Sequence, residues 1–252
     1  MRRPRTEGTT ERVAAGAGGV HVRRAYFDCR VGQLNTRTAF PASGGFDERT
    51  TLLCLHPQGT TSRVFEQFLP EMAHDRSVYA PDLPGCGESD APPQRCTIAE
   101  YATLMADFAA GMRFGRLDAL GYGAGAFVAA ELALAQSQKI RRVVLVAPAL
   151  RIDERIAERP DAPATEELAG AGPGARWFAA AARDYVAGER FLLLKQPTLL
   201  VRSGEESAEQ KAHLRQFPHN VRTAELPGSS EPLFRATLKP LVELVRQFLS
   251  AS

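Results

Sequence analysis

"LGYGAGAF", residues Leu120–Phe127, lies between a strand-like run, LDALGY, and a helix-like run, AFVAAELALA. Gly121, Gly123 and Gly125 alternate through it and make a sharp strand-to-helix turn. At such a turn the two backbones close on each other, so a Cβ at Gly121 or Gly125 would collide. A glycine at the apex also tolerates positive φ, which would strain a residue with a side chain by about 1–3 kcal/mol. Gly123 stands at that apex. It removes the strain and, with it, any side-chain reagent the turn could present.

Working outward, the chain alternates buried strands with helices. VHVRRAYFDCR and QLNTRTAFPA are strand-like runs joined around Gly32, which predicts a hairpin. TTLLCLH is an apolar strand ending at His56, and the loop PQGTTS leads into a helix-like segment with Phe65, Phe68, Leu69 and Met72. SVYAPD is the next strand and runs into LPGCGESD. Thr97 and Glu100 form a capping-box pattern ahead of Ile98, Tyr101, Met105, Phe108 and Met112 at helical spacing.

Downstream of the turn, RRVVLVAPA is another buried strand. From about 150 to 195 the alternation stops, and RPDAPAT and GAGPGARWF mark an insert of one or two short helices, a cap. Strand PTLLVRSG, a helix from about Glu206 to Phe217, strand VRTAELPG and a terminal helix to about Ser250 complete the chain, with Pro240 kinking or restarting the last helix. This pattern predicts an α/β fold: a mostly parallel sheet between helices, with an N-terminal antiparallel hairpin. Residues 1–19, rich in Gly, Ala, Thr and Arg, read as a disordered tail, and 20–252 as one domain.

Three stretches, in this order, resemble the α/β hydrolase superfamily: LHPQGTTS, PDLPGCGESD (with Asp82, Gly85, Gly87, Ser89 and Asp90 in a D-x-x-G-x-G-x-S-D loop) and GYGAG as the nucleophile elbow. The resemblance covers about residues 20–249 and implies that fold with a short helical cap. It also implies a Ser–Asp–His triad, and all three positions are altered here. Gly123 stands for the nucleophile, Ser207 in PTLLVRSGEES for the acid, and Ser230 or Glu231 in PGSSEPLF for the base. The last histidine, His219, precedes the final strand and belongs at the wrong end of the sheet. Acyl transfer needs a nucleophile, its base and a group orienting that base. A degenerate triad is therefore the expectation.

The resemblance implies a pocket bordered by His56, Gln58, Gly123 and Ala124, with Trp177, Phe178 and Tyr185 of the cap above it. The Ala124 amide and one from the loop after His56 would point into it as oxyanion-type donors. His56 is a candidate acid or base, or a structural histidine; Asp153 is an alternative acid, or a solvated residue opening the insert; Ser89 reads as closing a turn.

The expected function is a non-hydrolytic pseudo-hydrolase that binds a small apolar or ester-like ligand, or a protein partner. One alternative is an enzyme without a covalent intermediate (a lyase, isomerase or unusual hydrolase) using His56 or an acidic residue. A more distant one is a dinucleotide-binding turn, because Gly121, Gly123 and Ala126 satisfy G-x-G-x-x-A. Against it, VVLVAPAL lacks the acidic residue expected at the end of the next strand.

Composition narrows the partners. Formal net charge is +2 over 252 residues, and no basic stripe with interleaved aromatics appears, which argues against nucleic acid. The longest apolar run is far shorter than the roughly 20 residues of a membrane helix. Early arginines lack an apolar run behind them, so the expectation is a soluble, cytoplasmic protein. Cys29, Cys54, Cys86 and Cys96 show neither a CxxC pair nor zinc spacing, so no metal or cofactor is expected; Cys54 reads as a core residue, while Cys86 and Cys96 flank a loop and read as either accessible or buried.

Overall fold

The computed structural model describes residues 19–42, 50–148, 174–203, 216–226, 234 and 237–251. The expected tail, the first part of the cap and most of the helix expected from Glu206 lie outside the described residues. So do Asp153, Ser207, Ser230 and Glu231.

Among the described residues, eight strands form one sheet: β1 (His21–Cys29), β2 (Gly32–Phe40), β3 (Thr51–Leu55), β4 (Val78–Pro81), β5 (Leu117–Tyr122), β6 (Ile140–Val146), β7 (Thr198–Ser203) and β8 (Val221–Leu226), in the order β1-β2-β4-β3-β5-β6-β7-β8. β1 pairs with β2, and β2 with β4, in antiparallel fashion; every other pair is parallel. The hairpin thus forms one edge, as the sequence predicts.

The continuous apolar runs become strands buried on both faces. Leu53 and Leu55 of β3, with Val143 and Leu145 of β6, face one apolar layer. Their neighbours Leu52, Cys54, Val144 and Val146 face the other, which is the period-2 alternation of a strand. The first layer is covered by α2 (Ile98–Gly111) and α3 (Gly125–Ala135), and the second by α1 (Phe68–Met72) and α6 (Leu238–Ser250). Two cap helices, α4 (Ala175–Asp184) and α5 (Ala187–Leu192), lie on the α2/α3 side.

Local chemistry explains the helix starts. The Thr97 hydroxyl accepts from Glu100 N–H at 3.3 Å, and the Glu100 carboxylate accepts from Thr97 N–H at 2.7 Å, completing the capping box. Pro240 is the third residue of α6. Its missing N–H falls in the first turn, where no intrahelical partner exists, so the helix starts there without a kink.

The segment from Phe65 to Met72 departs from the expected single helix. A 3-10 turn, Ser62–Phe65, precedes the five-residue α1. Thr61 caps that turn by accepting from Arg63 N–H, and Pro70 supplies no N–H to extend a continuous ladder back through it.

Candidate functional site

The glycine-rich turn at Gly121–Gly125 joins β5 to α3 at the C-terminal end of the parallel strands, where ligands bind in open α/β sheets. Gly123 has φ +54°. Its N–H donates to Val146 O at 2.9 Å, tying the apex to β6. A Cβ on Gly121 would run into the backbone of Gly125 and Ala126, and one on Gly125 into the carbonyls of Leu55 and His56. The flanking glycines therefore let α3 pack directly on the ends of β3 and β5.

The apex itself is closed to a side chain from above. A Cβ at Gly123 would lie 2.8 Å from Pro57 Cβ. A serine here would need both a left-handed backbone and a displaced proline.

The next amide is also engaged. Ala124 N–H donates to Gln58 Oε1 at 3.2 Å, so the chain's own side-chain carbonyl takes the donor that an oxyanion would use. Gln58 is exposed, whereas Ala124 is buried. The structure thus brings Gln58, Gly123 and Ala124 together, with Pro57 among them. Neither the position of Pro57 nor the Gln58 contact had a signal in the sequence, because no periodicity marks which loop side chain fills a turn.

His56 lies beneath this group and is fully buried. Leu83 N–H can only donate, so Nε2 accepts from it at 2.9 Å. Nδ1 must then carry the proton, which it gives to Pro57 O at 2.8 Å. Burial lowers the ring's pKa, although the Asp82 carboxylate and the Pro57 carbonyl oppose this. The imidazole is a neutral brace between the loops after β3 and β4, with no free lone pair to take a substrate proton.

The cap reaches His56 through Phe178 of α4. That ring is fully buried, 6.2 Å from the His56 ring and 5.0 Å from Tyr101. Trp177 beside it is half-buried. The expected third roof residue, Tyr185, instead packs on Phe127 of α3 at 5.0 Å and gives its hydroxyl to Glu131 Oε1 at 2.7 Å. Arg190 of α5 binds the same carboxylate through two nitrogens, at 2.6 and 2.7 Å. Burial alone would raise the Glu131 pKa, but these bonds outweigh it and hold it below the usual carboxylate range. The start of α4 also touches the loop after β4, where Gly174 N–H donates to Gly85 O at 2.7 Å.

That loop is built around Asp82. Its buried carboxylate accepts from Ser62 N–H at 2.7 Å, from the Asn35 side chain at 2.8 Å and from Glu88 N–H at 3.3 Å. Ser89 Oγ donates to Asp82 O and accepts from Asn35 N–H, which closes the turn as expected. Cys86 is buried, and burial pushes its pKa up to about 12. It packs in the α2-side core, so it is no nucleophile at neutral pH.

His219 is exposed just before β8, at the end of the sheet remote from the elbow, as its position predicts. Among the described residues no group of three or more His, Cys, Asp or Glu could hold a metal ion, and no helix is long and apolar enough to cross a membrane.

A model of the alpha/beta hydrolase family matches residues 52–248, the span from β3 through α6. The chain belongs to the alpha/beta hydrolase family. Solved α/β hydrolase-fold structures agree on the architecture. A hydrolase from Pseudomonas aeruginosa PA01 superposes with a TM-score of 0.73 at 20% identity, covering 94% of this chain and 100% of that one. The enol-lactonase from Burkholderia xenovorans LB400 gives 0.73 at 17% identity, covering 90% and 100%.

Among curated relatives, uncharacterized protein Rv2715 of Mycobacterium tuberculosis is 31% identical over 110 residues, 44% of this chain. The match spans 31% of that relative's length. Within the α/β hydrolase fold, this chain thus keeps the elbow's backbone and its glycine packing while Pro57 and Gln58 take the space and the donor at its apex.

Proposed function

We propose that this chain is a non-hydrolytic α/β hydrolase, a pseudo-hydrolase whose elbow pocket takes a small apolar or ester-like ligand. The observation that carries the reading is the apex itself: glycine at φ +54°, roofed by Pro57, with the next amide held by Gln58. A covalent mechanism needs a nucleophile at that point, and among the described residues none of the groups around it can serve. His56 has both nitrogens engaged and Cys86 is a buried thiol. An enzyme using His56 as general base gains no support from such a brace.

The Gln58 contact also suggests how the ligand is held. A neutral amide oxygen on Ala124 N–H is a modest partner, and a ligand carboxylate makes the stronger, charge-assisted bond. Gln58 is exposed and swings aside at little cost, while the apolar part of the ligand lies toward the cap.

The test is a thermal-shift series with short-chain carboxylic acids and their esters, on the wild type and on Gln58→Ala. The expected result is a saturable rise in Tm for some of these ligands that is larger in Gln58→Ala, where the internal competitor is gone. Equal, non-saturating behaviour of both proteins with every ligand would overturn the small-ligand reading and leave a protein partner as the occupant of this face.

A further inference from the structure

On the far side of the loop after β3 from the elbow lies a cleft of about 140 Å3, lined by three arginines (Arg24 of β1, Arg37 of β2 and Arg63 of the 3-10 turn) and by the Asp82 and Glu88 carboxylates. It does not depend on the elbow reading. The hairpin register builds it. Arg24 stands directly opposite Arg37, and Tyr26 opposite Asn35, so these side chains share one face. One step back along the same face, Val22 and Ala39 pair and pack against the α1/α6 core. Beyond them the apolar pattern breaks off and guanidinium groups take its place.

Two arginines directly opposite on antiparallel strands destabilise the sheet unless something neutralises them. Arg24 is neutralised: it binds Glu88 and also donates to Asn35 Oδ1 at 3.1 Å, while the Tyr26 hydroxyl adds a 2.5 Å bond to the same Glu88 carboxylate. Arg37 and Arg63 have no carboxylate partner among the described residues. Asp82 also lines the cleft, where its oxygens accept from three neutral N–H donors rather than from an arginine. Three guanidinium groups therefore face one concave site against two carboxylates, Asp82 and Glu88, and Arg37 and Arg63 make no direct ion pair there.

We propose that this cleft is a binding site for a phosphate group, as the free ion or as a phosphate monoester. Charge selects an anion, because the guanidinium groups lining the cleft outnumber the carboxylates. Geometry agrees, since arginine forks match tetrahedral oxyanions with paired N–H bonds. The volume is about four to five times the space a water takes in the liquid, which holds a phosphate with a short organic tail. Thr61 also lines the cleft and offers a hydroxyl donor at its rim.

The experiment is isothermal titration of the protein with inorganic phosphate, glycerol phosphate and sodium chloride at matched ionic strength. The proteins are the wild type, Arg37→Ala, Arg63→Ala and, as a remote control, Arg30→Ala; Arg30 pairs with Asp107 elsewhere on the surface. Arg63 is exposed, so its variant keeps the test valid even if Arg37→Ala weakens the hairpin. The expected result is saturable phosphate binding, absent with chloride, that weakens roughly tenfold or more in Arg63→Ala and Arg37→Ala and not in Arg30→Ala. Tighter binding of glycerol phosphate than of phosphate assigns the site to a monoester, and equal binding assigns it to the ion. Non-saturable heats, or wild-type affinity in both cleft variants, would overturn the proposal.

Discussion

At the scale of single residues, the elbow shows what a sequence can and cannot reveal. The mechanical role of Gly121 and Gly125 is legible because a strand-to-helix reversal leaves no room for Cβ, and the backbone carbonyls they meet confirm it. The positive φ of Gly123 is legible for the same reason. Pro57 and Gln58 are not, since their effect depends on where a loop sixty-odd residues earlier folds back. This asymmetry has a testable consequence. Gly123→Ser adds both φ strain and a clash with Pro57, so it should lower stability by about 2 kcal/mol, measured as a shift in the urea midpoint at unchanged slope. A neutral or stabilising Gly123→Ser would mean that the apex readily accepts a side chain.

Among the elements, the cap is where sequence reading lost most detail. An insert of one or two short helices was visible from the break in alternation, and α4 and α5 are there. Which side chains anchor them was not visible, because a lone Glu131 inside an apolar helix carries no partner in its pattern. Glu131 holds α5 through Arg190 and α4's end through Tyr185, across 59 and 54 residues of sequence. Its folded pKa lies below the ordinary 4.5, so the carboxylate's contribution is fully present above pH 4.5 and is lost as pH falls through the lower, folded value. Glu131→Gln should cost about 2 kcal/mol at pH 7. Trp177, the single tryptophan, sits half-buried on α4 and reports the change. Its fluorescence should shift below pH 4.5 in the wild type and show a much smaller acid transition in Glu131→Gln. Identical acid transitions in the two proteins would show that this latch does not hold the cap.

Over the whole molecule, the succession of strands and helices along the chain and the hairpin at one edge were legible because each buried run is short, apolar and followed by a helix or a turn signal. The reversal of order at β4 and β3 follows from chain geometry rather than from any local pattern. The same sheet places its two candidate sites on either side of the loop after β3: the elbow against Gln58, and the arginine cleft against Thr61 and Arg63. The central claim is that the elbow kept its shape and lost its chemistry, and it is tested most directly by intact-mass measurement of the protein after exposure to an excess of a fluorophosphonate. The account predicts no stoichiometric adduct at neutral pH. A single covalent adduct, localised by peptide mapping to a serine beside Gly123, would contradict it.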